Sequence, residues 1–203
     1  MSAGTQLAYD AVQLFPDRLI GFTYTAPSME GKVENWDAVM RPLRDAVENK
    51  GMRGIKVHRA FTQLRPEVMG PVVEFAAAHN IPLLIDSSND EEGLMGLMKA
   101  YPDAQIIWAH LGVPSGDVLA IDRMLDFLKD YENVCVDTAY LPTYWKIRDA
   151  VRVMGKERVC FGSDGILLDP RTEICKIDVL DFDEDTREHI YYKNIARVLG
   201  IAV

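Results

Sequence analysis

The sequence predicts an α/β protein whose strands run parallel, and the pattern of apolar residues supports this fold class. Short apolar runs rich in β-branched residues recur along the chain, and each is followed by a longer stretch with the 3.6-residue spacing of an amphipathic helix. The runs are almost wholly apolar, as expected of strands that are covered on both faces. Strands that alternate with helices of this length pair in parallel through right-handed crossovers.

Six strands and seven helices are predicted from these patterns. The predicted strands are Arg18–Thr25, Gly54–His58, Ile81–Asp86, Gln105–His110, Asn133–Thr138 and Arg158–Phe161. The predicted helices are Ala3–Phe15, Trp36–Lys50, Glu67–His79, Glu91–Tyr101, Val118–Tyr131, Tyr144–Met154 and Thr186–Leu199. We expect Gly70–Pro71 to bend the third helix or delay its start. Gly200 should end the last helix, and Asp164–Asp185 is the longest segment predicted to be irregular.

Two architectures fit this alternation, a (β/α) barrel and an open doubly wound sheet. A complete eight-stranded barrel typically takes about 250 residues, whereas this chain has 203 residues and places a helix before its first predicted strand. We therefore predict an incomplete TIM-like (β/α) barrel with about six parallel strands and outer helices. Residues 1–203 should form this single partial domain, because no interdomain linker is evident.

Composition and charge limit the functions open to the chain. The net charge is −9, with 22 Lys and Arg against 31 Asp and Glu. This charge repels phosphate backbones, so we expect no nucleic-acid partner. No segment is apolar for long enough to span a membrane, and the first residues do not resemble a signal peptide. The three cysteines, Cys135, Cys160 and Cys175, are scattered and odd in number, which favours a reduced, cytoplasmic protein.

Polar side chains that suit catalysis or metal binding stand where the predicted strands end. They are, in chain order, Lys56, His58, Asp86, His110, Asp137 and Asp164. Ligands of parallel α/β proteins bind at these strand ends. Converging there, such groups could bind a divalent cation and orient a water molecule. Tyr140 and Trp145 lie on the loop after the fifth strand and are candidates for lining a pocket.

Most of these residues also have a purely structural interpretation. His58, taken alone, is better explained as a strand cap that hydrogen-bonds to a loop. Lys56 and Asp86 are equally well explained by an ion pair inside the barrel. Asp137 suits a hydrogen bond to a neighbouring strand or to a backbone N–H.

Six segments of the chain resemble the amidohydrolase-related family of metal-dependent hydrolases. They are FPDRLIGF at 15–22, GMRGIKVH at 51–58, IPLLID at 81–86, AHLG at 109–112, FGSD at 161–164 and NIARVLG at 194–200. The matches occur in the family's order and are jointly specific, although each segment alone is a weak match. His110 and Asp164 stand within the two short segments AHLG and FGSD.

The resemblance implies a distorted (β/α)8 barrel and a metal, often zinc. In that family a His-x-His on the first strand, a histidine on the fifth and an aspartate on the eighth hold the metal, and a histidine on the sixth assists acid–base steps. The predicted strands would correspond to family strands three to eight, which places His110 on the sixth-strand histidine and Asp164 on the metal-binding aspartate.

This chain departs from the family pattern at two ligand positions. It contains no His-x-His, and Asp86 replaces the fifth-strand histidine. Asp86, His110 and Asp164 are therefore the predicted metal ligands. Two carboxylates and one histidine suit Mg²⁺ or Mn²⁺ better than Zn²⁺, and so few ligands should bind any of these ions weakly.

The function implied by the resemblance is that of a metal-dependent hydrolase or decarboxylase acting on a small carboxylate or cyclic substrate. Asp164 and His110 would be catalytic, and the substrate-binding residues would be Lys56, His58, Tyr140 and Trp145. The depleted ligand set favours an alternative, a non-catalytic relative or a subunit that binds a ligand or partner. A third possibility is a truncated product of a longer gene.

The predicted absence of the first barrel strands leaves two sheet edges to be covered. Without those strands, Arg18–Thr25 and Arg158–Phe161 would be unpaired edge strands, which proteins normally avoid exposing. The N-terminal helix, a separate polypeptide or a second copy would each solve the problem. We expect a homodimer or other oligomer to cover the open edge.

Overall fold

The protein is built of two compact units. The computed structural model describes residues 2–88, 90–112 and 117–202. The units are Met1–Ile85 with Glu92–Gln105, and Asp86–Glu91 with Ile106–Val203. Among the described residues, no helix combines the length and the apolar character that crossing a membrane requires. The single domain expected for residues 1–203 stays a prediction.

Within the described residues, six short strands stand where the sequence predicted them. They are β1 Thr23–Tyr24, β2 Ile55–His58, β3 Leu83–Asp86, β4 Ile106–Trp108, β5 Val134–Asp137 and β6 Val159–Cys160. Neighbours follow the order of the chain: β1, β2 and residues Leu83–Ile85 of β3 lie in the first unit, and Asp86 with β4, β5 and β6 lies in the second. The β1–β2, β4–β5 and β5–β6 pairs are parallel. The predicted α/β class with six parallel strands and surrounding helices is confirmed.

The described residues form nine α-helices. They are α1 Ala3–Leu14, α2 Trp36–Arg44, α3 Pro66–Ala78, α4 Glu91–Ala100, α5 Val118–Leu128, α6 Lys146–Met154, α7 Pro170–Asp178, α8 Glu184–Glu188 and α9 Asn194–Leu199. Five-residue π-helical turns extend α2 and join α8 to α9. In the second unit the core includes Trp108, Ile121, Leu128, Val136 and Ile147, whose side chains are fully buried.

One prediction about helices is decided in part and a second was wrong. Gly70–Pro71 does not delay α3, which begins at Pro66 and contains Pro71, while the bend given as the alternative stays a prediction. Proline is well suited to the first helical position, and burial of most of this helix offsets the one bond lost at Pro71. The segment Asp164–Asp185 is not irregular, since it contains α7. That helix starts because the Asp169 side chain accepts the Arg171 N–H.

The outer edge of β1 is covered within the first unit. Thr23 and Thr25 donate their N–H groups to the carbonyls of Gly54 and Lys56, on the side of β2, so the N–H of Tyr24 points to the other side. There it donates to the hydroxyl of Thr5 in α1 at 3.0 Å. The N-terminal helix thus supplies a hydrogen-bond partner that a neighbouring strand would otherwise provide.

The outer edge of β6 is covered in the same way within the second unit. The N–H of Phe161 donates to the carbonyl of Ile190 at 2.7 Å, and the amide of Asn194 donates to the carbonyl of Val159 at 2.8 Å. Arg197 donates to the carbonyl of Glu157 at 2.7 Å. The NIARVLG segment is therefore structural, because its Asn and Arg hold the start of the last strand.

Candidate functional site

The candidate site lies in the second unit, where strands end in polar side chains. Asp86 ends β3, His110 follows β4 and Asp137 ends β5. All three residues are buried, with exposures of 8%, 6% and 8%. Ionisable residues are rarely buried to this degree unless they are paired, so their contacts define what the site can do.

His110 is held at three points. Its backbone N–H donates to Asp137 Oδ1 at 2.8 Å, its Nδ1 lies 3.0 Å from the Ala139 carbonyl oxygen, and its Nε2 lies 3.3 Å from Asp86 Oδ2. A carbonyl oxygen only accepts, so Nδ1 carries a proton and Nε2 is the nitrogen that gains or loses one. The contact of Asp137 with a backbone N–H is the structural role considered from the sequence.

The charges around His110 favour its protonated form. Burial lowers the pKa of His110, but the hydrogen bond to Asp86, the charge of Asp137 and the Ala139 carbonyl outweigh burial and raise that pKa above its ordinary value. Asp86 is itself fixed, since its Oδ1 accepts the N–H and the hydroxyl of Ser88 at 2.8 and 3.0 Å. The carboxylate therefore presents a defined oxygen, Oδ2, to the imidazole.

The loops that follow β3, β4, β5 and β6 each contain at least one non-glycine residue in the left-handed backbone conformation. They include Ser88, His110, Tyr140 and Asp164, with φ values of 45°, 61°, 54° and 49°. A non-glycine residue in this region costs about 1–2 kcal/mol, and strain of this kind clusters at functional sites. Asp137 offsets the cost at His110 by accepting its N–H.

The AHLG segment needs its glycine for space. Gly112 has a φ of +78°, and a Cβ at this position would lie 2.7 Å from Cε2 of the rigid Trp108 indole. The hydroxyl of Ser87 donates to the Gly112 carbonyl at 3.0 Å and accepts the indole N–H of Trp108 at 3.0 Å. These contacts fix the turn on which His110 stands.

A cavity of about 460 Å³ lies beside Tyr140. The ring of Tyr140 meets that of His110 edge-on, with 6.0 Å between ring centroids. The other lining residues are Leu141, Pro142, Leu168, Thr172, Glu173 and Lys176. The volume falls in the range of small-molecule sites, and Tyr140 connects the cavity to the imidazole.

The other predicted substrate-binding residues are distributed more widely. Lys56 and His58 stand on β2 in the first unit, and His58 Nδ1 accepts the N–H of Ala60 at 3.1 Å, as its structural interpretation predicted. Trp145 is 49% exposed and packs edge-on against Tyr144. A substrate-binding role for Lys56, His58 and Trp145 stays a prediction.

The predicted metal ligands are brought together only in part. Within residues 2–88, 90–112 and 117–202, no group of three or more His, Cys, Asp or Glu is arranged to hold a metal ion. Asp86 and His110 are in contact, but Asp164 does not join them in such a group. One imidazole nitrogen and one carboxylate do not fit a metal centre held by protein donors alone. The set Asp86, His110 and Asp164 stays a prediction.

Sequence reasoning missed three residues that support this site. Ala139 acts through its backbone carbonyl, so its side chain carries no information about the role. Glu173 and Lys176 fall in the segment predicted to be irregular. The Asp169–Pro170 pair indicates a helix start, and on that helix a glutamate three residues before a lysine predicts an ion pair.

Comparison with known proteins identifies the family. The amidohydrolase family model matches residues 3–201. The chain therefore belongs to the amidohydrolase family, and the predicted family assignment is confirmed. A search of curated proteins found no match.

Solved structures of low sequence identity share the fold of this chain. A TIM-barrel protein from Bordetella bronchiseptica is 13% identical, with a TM-score of 0.81 over 98% of this chain and 73% of that chain. A 4-oxalomesaconate hydratase from Rhodopseudomonas palustris is 20% identical, with a TM-score of 0.75 over 97% and 69%. A dihydroxybenzoic acid decarboxylase from Polaromonas sp. JS666, with bound manganese and the inhibitor 2-nitroresorcinol, is 16% identical, with a TM-score of 0.72 over 97% and 73%. These likenesses confirm the predicted TIM-like class.

Proposed function

We propose that this protein catalyses an acid–base reaction on a small cyclic carboxylate, with decarboxylation the first reaction to test. One observation carries the proposal: a buried imidazole has its Nδ1 bound to the Ala139 carbonyl and its Nε2 facing the carboxylate of Asp86. Membership of the amidohydrolase family and the fold shared with a decarboxylase and a hydratase support it.

His110 can supply the proton that decarboxylation requires. When a carboxylate leaves a ring carbon as CO2, the electron pair of the broken C–C bond ends in a new C–H bond at that carbon. The Nε2–H of the imidazolium donates this proton, Asp86 stabilises the imidazolium beforehand, and solvent returns the proton afterwards. The apolar surface of Tyr140 and Leu141 in the neighbouring cavity suits the ring of the substrate.

The remaining roles are proposed from sequence position and from the family. Lys56, His58 and Trp145 are the proposed substrate-binding residues, and the ammonium of Lys56 suits a carboxylate. Asp164 is catalytic and, together with Asp86, would hold a weakly bound Mn²⁺, Mg²⁺ or Zn²⁺. His110, the third predicted ligand, would bind the ion through Nε2 only when that nitrogen carries no proton, so it is not a ligand while it acts as the proton donor. Manganese in the Polaromonas decarboxylase supports a divalent ion, and so few protein ligands limit its affinity.

Product formation from hydroxybenzoates tests the proposal. The full chain is incubated with 2,6-dihydroxybenzoate and related acids, with MnCl2 or with EDTA, and the decarboxylated phenol is measured by chromatography. We expect turnover that manganese increases, and we expect Asp164→Asn to remove that increase. The exposed carboxylate variant Asp126→Asn is the control and should behave as wild type. Saturable ligand binding without any turnover would contradict the proposal and identify a non-catalytic relative.

Two further properties are proposed. The reduced, cytoplasmic location rests on the cysteines, since Cys135, Cys160 and Cys175 are all free thiols. The proposed dimer is based on the sequence argument that the two edge strands are uncovered. The hydrogen bonds of Thr5 at β1 and of Asn194 at β6 weaken that argument, and sedimentation at micromolar concentration distinguishes dimer from monomer.

A further inference from the structure

A buried ion pair lies behind the loop that touches His110. Glu173 and Lys176 stand one turn apart on α7 and form a salt bridge, with side chains only 5% and 14% exposed. Burying two opposite charges is costly unless their remaining hydrogen-bonding groups are also satisfied. The partners that satisfy them therefore indicate what the pair is for.

Those partners are backbone groups of the loop after β5. The ammonium of Lys176 donates to the carbonyls of Thr138 and Leu141 at 3.1 and 3.3 Å. The Oε2 atom of Glu173 accepts the N–H of Tyr140 at 3.1 Å. Tyr140 has the left-handed φ of 54°, which this bond helps to hold.

Between these anchored residues stands Ala139, whose carbonyl accepts the Nδ1–H of His110. The ion pair binds backbone groups of Thr138 on one side of Ala139 and of Tyr140 and Leu141 on the other. On its other side the loop is held by Asp137, which accepts the N–H of Ala139 at 3.0 Å. A small shift of this loop would move the Ala139 carbonyl off the imidazole, because a hydrogen bond weakens steeply with distance and angle.

We propose that the Glu173–Lys176 pair is a positioning device that fixes the orientation and the Nδ1–H tautomer of His110. The hydrogen bond at one ring nitrogen decides which nitrogen is left to exchange a proton. By holding the Ala139 carbonyl in place, the pair keeps Nε2 directed at Asp86. The consequence for turnover rests on the proposed acid–base function, whereas the tautomer itself is measurable without substrate.

Ring nitrogen shifts of the ¹⁵N-labelled full chain test the proposal at alkaline pH, where the imidazoles are neutral. The chain has 4 histidines, at positions 58, 79, 110 and 189, and the His110→Asn spectrum assigns the signals of His110. Wild type should show the Nδ1–H tautomer at His110. In Lys176→Met, the Nε2–H tautomer of His110 should appear beside the Nδ1–H tautomer or replace it, and kcat should fall at least tenfold. Lys176→Arg, which keeps the donors, should restore both.

A matched control removes a similar pair away from the site. Lys129 and Asp126 form an exposed ion pair with the same three-residue spacing, so Lys129→Met should leave the tautomer and the rate unchanged. If Lys176→Met does not fold, Glu173→Gln replaces it and should shift the tautomer in the same direction. An unchanged tautomer in a folded variant overturns the proposal. A shifted tautomer in a protein without turnover would support the positioning role and reject the proposed function instead.

Discussion

His110→Asn should lower kcat for the decarboxylation by about 10²–10⁴-fold, the usual contribution of a positioned acid or base. The substitution removes the imidazole while keeping the backbone, because asparagine tolerates the left-handed conformation that His110 adopts at φ 61°. The N–H that donates to Asp137 also remains. A lower kcat should therefore reflect the loss of the proton donor and not misfolding of the protein. Steady-state rates at saturating substrate measure kcat.

A second histidine provides the control for this variant. His79 lies at the end of α3, where its ring contacts the Phe75 carbonyl and Glu48. His79→Gln should keep kcat within about twofold of wild type, because surface changes away from a site have small effects. If His110→Asn folds normally and retains wild-type kcat, His110 is not the proton donor.

Arg158→Met should lower the free energy of unfolding by about 3–4 kcal/mol. Burial lowers the pKa of Arg158, yet the guanidinium donates four hydrogen bonds to backbone carbonyls. The four acceptor carbonyls belong to Met154, Leu128, Tyr131 and Lys129, at distances of 2.7, 2.9, 2.6 and 3.2 Å. The cation thereby caps the C-terminal ends of α5 and α6, where carbonyls lack helical partners. Methionine fills similar space but leaves those carbonyls unsatisfied.

Urea denaturation followed by circular dichroism measures this loss. Arg152→Met is the matched control, since Arg152 lies in the last turn of α6, is 75% exposed and pairs only with Asp149 among the described contacts. Exposed ion pairs contribute at most about 1 kcal/mol, so the control should unfold near the wild-type midpoint. Equal midpoints for the two variants would show that the buried guanidinium contributes no more than a surface one.

The alternation of apolar runs and amphipathic stretches was sufficient to predict the fold. All six strands stand within the predicted ranges, although each is shorter. The greatest difference is at Arg18–Thr25, of which only Thr23–Tyr24 is a strand. Apolar composition marks where a strand can form, but its length depends on pairing with a neighbour, and β1 has one neighbouring strand.

The candidate site was predicted in part, for reasons that differ between residues. Asp86 and His110 were predicted to converge because the ends of parallel strands meet on one side of a sheet, and they are in contact. The Ala139 carbonyl could not be predicted, since every residue type carries one. The Glu173–Lys176 pair depends on α7 packing against a loop more than 30 positions earlier in the chain, and no local pattern reports such a contact.

The most direct test of the central claim is a titration of histidine-labelled protein with 2,6-dihydroxybenzoate, followed by NMR. We expect the ring signals of His110 to shift saturably, while those of His79 and His189 do not move. Asp86→Asn should weaken the binding that these shifts report. Saturable binding measured by calorimetry without a shift of the His110 ring signals would contradict the account. The ligand would then bind away from the Asp86–His110 pair.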